Sequence, residues 1–267
     1  KITAAGQNAL FSKNLATNTI KTTNTVDGLS GETITAIYFS QNANKTIIGY
    51  ENGLMIVVND IDGSVTNIVD IVNKSIPNNI KRINHFMEHQ GIIYISCDFG
   101  IVQYNINTLE FGDTYFIGPN GQEIRIYQTT VLNNEIYAVS QFFGIKKASL
   151  NNPNLIDFAQ WQTFDSGSWN GIVTLNNQLI CQNLNNGLYR HNGTNFQEII
   201  ILPQAGIDLR VFNDKIIVTS QNHVYVFNTN FIQEAHIQSN EINISNLSFT
   251  CATFINNYIY IGTNNTG

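Results

Sequence analysis

The residues best suited to metal chemistry are His85-Phe86-Met87-Glu88-His89, which match the H-x-x-E-H spacing of zinc hydrolases. That pattern works on a helix, where residues four apart share a face. Here it runs into the turn at Gln90-Gly91. On a strand His85, Met87 and His89 share one side and Glu88 opposes them, so a surface strand end is expected and no metal site. Asn59-Asp60-Ile61-Asp62-Gly63 opens like a calcium loop but lacks the closing acidic residue, and reads as a hairpin turn. Ser168, in Gly167-Ser168-Trp169-Asn170-Gly171, is out of register with G-x-S-x-G and has no assignable base. No catalytic residue and no cofactor are therefore expected, and the chain does not read as an enzyme.

Binding is the remaining chemistry. Arg82 and Arg125 lie nine residues before equivalent polar turns, Gly91 and Asn134, so they should fill equivalent places in successive repeats. Two guanidiniums side by side can grip a carboxylate or phosphate, or can pair with acids of a neighbouring repeat. Phe99, Phe142, Phe143 and Trp169 fall in connections, where exposed aromatics favour binding. A surface bearing Phe99, Phe143, Trp169, Arg82 and Arg125 is the expected contact for a protein partner or a glycan.

What positions these side chains is a repeat. A polar residue, Asn or Phe, a small residue and an aliphatic residue recur at Gln7-Asn8-Ala9-Leu10, Glu51-Asn52-Gly53-Leu54, Asp98-Phe99-Gly100-Ile101, Phe142-Phe143-Gly144-Ile145, Asn185-Asn186-Gly187-Leu188 and Gln221-Asn222-His223-Val224, with a seventh copy beginning at Asn265-Thr266-Gly267. Differences between the third positions (9, 53, 100, 144, 187, 223, 267) give steps of 44, 47, 44, 43, 36 and 44 residues. That is the pitch of a four-stranded propeller blade. A second landmark keeps the register, a tight turn nine or ten residues earlier at Asn44, Gly91, Asn134, Asn177, Asp214 and Asn257. Strands a to d of one blade are legible as 34–39, 46–50, 54–58 and a last strand ending near Val69, with alternation between the turns. The expected fold is all-β, a propeller of four-stranded antiparallel blades at 1–31, 32–75, 76–118, 119–164, 165–202, 203–241 and 242–267. Residues 1–267 read as a single propeller domain cut from a longer chain, most simply seven-bladed with incomplete first and last blades, or six-bladed with an exchanged closing blade.

Composition agrees. The 267 residues are 43% hydrophobic and 12% charged, with a net charge of −6. Thirteen Lys plus Arg are too few for non-specific nucleic-acid binding, and no apolar run reaches the ~18 residues of a membrane helix. Cys97, Cys181 and Cys251 are far apart and read as core residues inside strands.

Val26-Asp27-Gly28-Leu29-Ser30-Gly31-Glu32-Thr33-Ile34 and Ile48-Gly49-Tyr50-Glu51-Asn52-Gly53-Leu54 resemble the regulator-type propeller repeat of Bacteroidota surface and sensor proteins. Ser96-Cys97-Asp98-Phe99-Gly100-Ile101-Val102 with Asp113-Thr114-Tyr115-Phe116-Ile117-Gly118 sharpens this to a resemblance to the PorZ-type amino-terminal propeller of the type IX secretion system. The resemblance implies a non-enzymatic accessory protein on the outer face of the outer membrane. It also implies the sortase PorU and the shuttle PorV as partners, and work alongside the attachment of cargo to anionic lipopolysaccharide. A periplasmic glycan-sensing propeller of a hybrid two-component regulator is the alternative.

Overall fold

The computed structural model describes residues 1–264, and among them every long element is a strand. The chain forms two compact units, Lys1–Tyr127 with Asn154–Gln160, and Gln128–Pro153 with Trp161–Gly267. Each is built from antiparallel meanders whose strands pair in chain order.

In the first unit a three-stranded sheet (Ile2–Ala5, Leu10–Lys13, Ile20–Thr23) precedes two four-stranded sheets. These are Ile34–Ser40, Lys45–Tyr50, Met55–Asn59 and Val65–Ile68, then Ile83–His89, Ile92–Cys97, Gly100–Asn105 and Glu110–Tyr115. The next sheet, begun by Ile126–Leu132 and closed by Gln162–Asp165, belongs to the second unit from Gln128 on, and is followed there by sheets running from Trp169 to Ile201 and from Gly206 to Gln238. A two-stranded sheet, Ser248–Ile255 with Tyr258–Asn264, comes last. All seven sheets begin inside the blades expected from the repeat, and the propeller of four-stranded antiparallel blades is the fold observed. The expected count of seven blades is not met. Among the described residues twenty-five strands supply six sets of four with one over, and only five sheets have four strands. The seventh copy of the turn motif lies outside the described residues.

The turn chemistry explains the abundance of asparagine. Asn44, Gly91, Asn134, Asn177, Asp214 and Asn257 all have positive φ. At Asn133-Asn134, Asn176-Asn177, Asn213-Asp214 and Asn256-Asn257 both turn residues do. Two-residue turns of that kind match the right-handed twist of the strands they join. Asn tolerates the left-handed region better than other non-glycine residues.

The first strand of the four-stranded sheets carries a second device. Register slips between Ile34 and Ala36, Ile83 and His85, Trp169 and Gly171, and Gly206 and Asp208 bulge one residue out at the same place. Within the first unit the bulged Thr35 donates its hydroxyl to the Ile83 carbonyl at 2.7 Å, and the bulged Asn84 donates to the Ile126 carbonyl at 2.9 Å. Within the second, the bulged Asn170 donates to the Gly206 carbonyl at 2.9 Å. The acceptors at Ile83 and Gly206 sit immediately before the next bulge position, and in these three repeats a polar side chain ties a first strand to its successor. Apolar side chains fill the space between sheets. In the first unit Ile47, Met55, Ile83, Ile95, Val102 and Tyr104 share one cluster, and in the second Ile180, Leu188, Leu209, Ile216 and Val218 share another.

A cleft with two arginine to carboxylate pairs

Arg82 and Arg125 each stand directly before the first strand of a sheet, at Ile83 and Ile126. The equivalence expected from their spacing is met. Each reaches back to the first residue of the preceding sheet's turn motif, Arg82 to Glu51 and Arg125 to Asp98. The geometry repeats but the environment does not. Arg82 Nη1 meets Glu51 Oε1 at 3.2 Å, with side chains 40% and 60% exposed. Arg125 donates Nε to Asp98 Oδ1 at 2.6 Å and Nη2 to Asp98 Oδ2 at 2.5 Å, and the Asp98 side chain is only 4% exposed. Asn84 adds a third hydrogen bond to Asp98 Oδ1 at 2.8 Å. The hydrogen bond to Asp98 raises the Arg125 guanidinium above its ordinary value, against the opposing cost of burial.

These groups line a cleft of about 700 Å³ with Glu32, Asn52, Asn78, Asn79 and Tyr127. Three carboxylates, Glu32, Glu51 and Asp98, outnumber the two guanidiniums. Both arginines are engaged by a carboxylate of the preceding repeat. An anion arriving here meets cations already matched, so the cleft suits neutral or mixed-charge partners that exchange hydrogen bonds with amides. Exposed pairs of this kind contribute about 0–1 kcal/mol. Arg82→Ala should accordingly leave the thermal midpoint within about 2 °C of the parent in a scanning-calorimetry trace.

The aromatic part of the expected surface needs correction. Phe99 is 0% exposed and belongs to the first unit's core, 6.1 Å from the Phe116 ring. Its two-residue turn, between paired Cys97 and Gly100, directs the ring inward. Trp169 is buried as well. Its indole N–H donates to Asp165 at 2.6 Å and its ring packs on Phe196 at 4.6 Å. Phe143, equivalent to Phe99, is half-buried. Of these four aromatics the exposed one is Phe142, because Ser140 pairs with Gly144 across three residues and the extra one is pushed outward at φ 68°. That turn is one residue longer than the Cys97–Gly100 turn, and the extra phenylalanine it carries is the signal that marks Phe142.

His85, Glu88 and His89 lie on strand Ile83–His89, so the zinc spacing never closes on one helical face. Glu88 instead accepts the Tyr38 hydroxyl at 3.2 Å. Among the described residues no three His, Cys, Asp or Glu side chains form a metal-holding group. Cys97 and Cys181 are buried, as expected of core residues, while Cys251 is half-buried. No helix of the described residues is long and apolar enough to cross a membrane.

The second unit has a cleft of its own, of about 500 Å³, at Glu135, Tyr137, Lys147, Phe164, Gln178 and His191. Burial pushes the Glu135 carboxyl up, but hydrogen bonds from Lys147 at 2.9 Å and Tyr137 at 2.8 Å, with the Lys147 charge, outweigh it and hold it below the usual range. A depressed folded value adds stability above the unfolded value and loses it as pH falls through the folded one. The difference in thermal midpoint between the parent and Glu135→Gln should therefore be largest near pH 7 and close towards pH 3. A difference that grows on acidification would contradict this.

The family described as the type IX secretion system PorZ N-terminal β-propeller domain matches residues 2–162. Among solved structures, PorZ of Porphyromonas gingivalis, described as an essential bacterial surface component of that system, superposes with a TM-score of 0.79 at 16% identity over 97% of this chain. The chain spans about a third, 34%, of that protein's length. The extracellular domain of the putative one-component system BT4673 from B. thetaiotaomicron gives a TM-score of 0.68 at 16% identity, covering 98% of this chain and 36% of that one. A computationally designed protein, Ika8, gives 0.57 at 14% identity, covering 98% and 79%. No curated protein matches.

Proposed function

The chain belongs to the family of the PorZ N-terminal β-propeller domain of the type IX secretion system, and from that premise we propose that it is a non-enzymatic accessory module of that machinery at the cell envelope. The observation that carries the reading is the family match over 2–162, supported by the fold likeness to PorZ over nearly the whole chain. Its place is the outer face of the outer membrane, and its partners are the sortase PorU and the shuttle PorV. It assists the anchoring of cargo to anionic lipopolysaccharide by holding proteins rather than by gripping the lipopolysaccharide itself. A chain of net charge −6, whose arginine cleft carries three carboxylates, offers an anionic polymer no long-range attraction.

The cleft of the first unit is the proposed contact, with Arg82, Asn78 and Asn79 as its accessible donors. Phe142 is the contact proposed in the second unit, with Phe143 next to it in sequence. Asn79→Trp fills the cleft from an exposed position and should not disturb the fold. Immobilised parent chain should retain PorU or PorV from the same organism, and Asn79→Trp should reduce that retention at least tenfold, with lipopolysaccharide at background on both. Equal retention by both chains would remove the cleft from the interface.

The likeness to the BT4673 extracellular domain favours a second reading, a periplasmic ligand-sensing propeller. It predicts that the cleft retains a neutral oligosaccharide, and no secretion protein.

A further inference from the structure

The repeat departs from its own rule at one turn. Where other copies place a small residue, the sixth has His223, in Gln221-Asn222-His223-Val224. His223 opens the strand His223–Phe227 and pairs with Gln238, while Tyr225 pairs with His236 on the strand Gln233–Gln238. Paired residues project to the same side, so the two histidines are diagonal neighbours on one face of the sheet. Nδ1 of His223 and Nε2 of His236 lie 3.0 Å apart. Their rings are stacked at 5.2 Å and 22°, and Tyr225 lies flat against His236 at 4.1 Å and 9°. The aromatic stack fixes the plane of the imidazole and leaves the pair half-buried rather than enclosed.

At present one ring's N–H fills the space between the two nitrogens. If that ring moves its proton to its other nitrogen, both facing nitrogens become lone-pair donors with no change in total protons. With metal to nitrogen bonds of about 2.05 Å, nitrogens 3.0 Å apart subtend about 94° at the metal. Tetrahedral zinc would need them about 3.3 Å apart. A near-right angle belongs to adjacent ligands of a square-planar or tetragonal ion. We propose that His223 and His236 form a two-imidazole site for a divalent transition metal of that geometry, copper(II) first and nickel(II) next. Water completes the coordination at this half-open edge. Glu241, whose carboxylate accepts the Gln238 backbone N–H at 3.0 Å, adds negative charge beside it.

The test is a titration of the chain with copper(II), followed by calorimetry and electron paramagnetic resonance. One ion per chain with coupling to two imidazole nitrogens is expected. His223→Asn and His236→Asn should each weaken binding at least 30-fold with an unchanged circular dichroism spectrum. Trace copper(II) added to the unmodified chain should also broaden the His223 and His236 ring proton resonances before those of His85, His89 and His191, which locates the site without substitution. Undiminished affinity in the double variant, coupling to fewer than two nitrogens, or first broadening elsewhere would overturn the assignment. Tighter binding of zinc than of nickel would overturn its geometry.

Discussion

Gly144→Ala is expected to lower stability by about 3 kcal/mol, and the thermal midpoint by roughly 6–12 °C. Gly144 closes the turn between Glu135–Ser140 and its own strand, Gly144–Ser149, at φ 69°. A methyl group built there would stand 2.0 Å from the Asp165 carbonyl oxygen and 2.8 Å from the Ser166 Cα. Both obstacles are backbone, at the end of the fourth strand, so neither can rotate away. An alanine held at positive φ costs about 1 kcal/mol, and forcing the third and fourth strands apart costs about 2 more. Gly31→Ala, with nothing within 4 Å of the added methyl, is the control and should be near neutral. Urea unfolding of both variants measures the contrast. Equal midpoints would mean that the strand end gives way freely.

Arg125→Ala should cost about 2–3 kcal/mol, against under about 1 kcal/mol for Arg82→Ala. The two pairs occupy the same place in successive sheets, so the difference isolates burial. Removing Arg125 takes two of the three hydrogen bonds shown on Asp98, whose carboxylate has almost no access to water. A charge left in that state is costly. Removing Arg82 releases a Glu51 that is already 60% exposed. A double-mutant cycle with Asp98→Ala and another with Glu51→Ala should return coupling of about 2 kcal/mol for the first pair and close to zero for the second. Lysine at 125 should restore only part of the loss, because an ammonium cannot reproduce the two-pronged contact. Equal couplings would show that the site's rigidity does not reside in Asp98.

Periodicity made the blades legible because a four-stranded meander cannot bury its faces alone and repeats its punctuation each time. The tight turns expected at Asn44, Asn134, Asn177 and Asn257 are present, at the positive φ that asparagine tolerates. Counting blades failed because the turn motifs mark where strands meet and not how the three-stranded first sheet and the two-stranded last one are to be counted. The arginine positions followed from register, but their partners were less visible. Nothing local to Arg125 announces that Asp98, 27 residues earlier, is buried beneath it. Phe99 and Phe143 look alike in sequence, yet one ring is in the core and the other is half-buried, because a single added residue re-aims the turn. The histidine pair also escaped sequence reading, as cross-strand diagonals depend on a register slip between Val226 and Phe227.

Membership in the secretion machinery, rather than in a sensor, is open to direct test. It is tested by removing the codons for this propeller from the chromosome of the organism that carries them, and measuring type IX cargo on the cell surface by surface labelling. Cargo should be lost from the surface and accumulate unanchored, while transcriptional responses to glycans are unchanged. Normal surface cargo, together with loss of a glycan-induced transcriptional response, would contradict it.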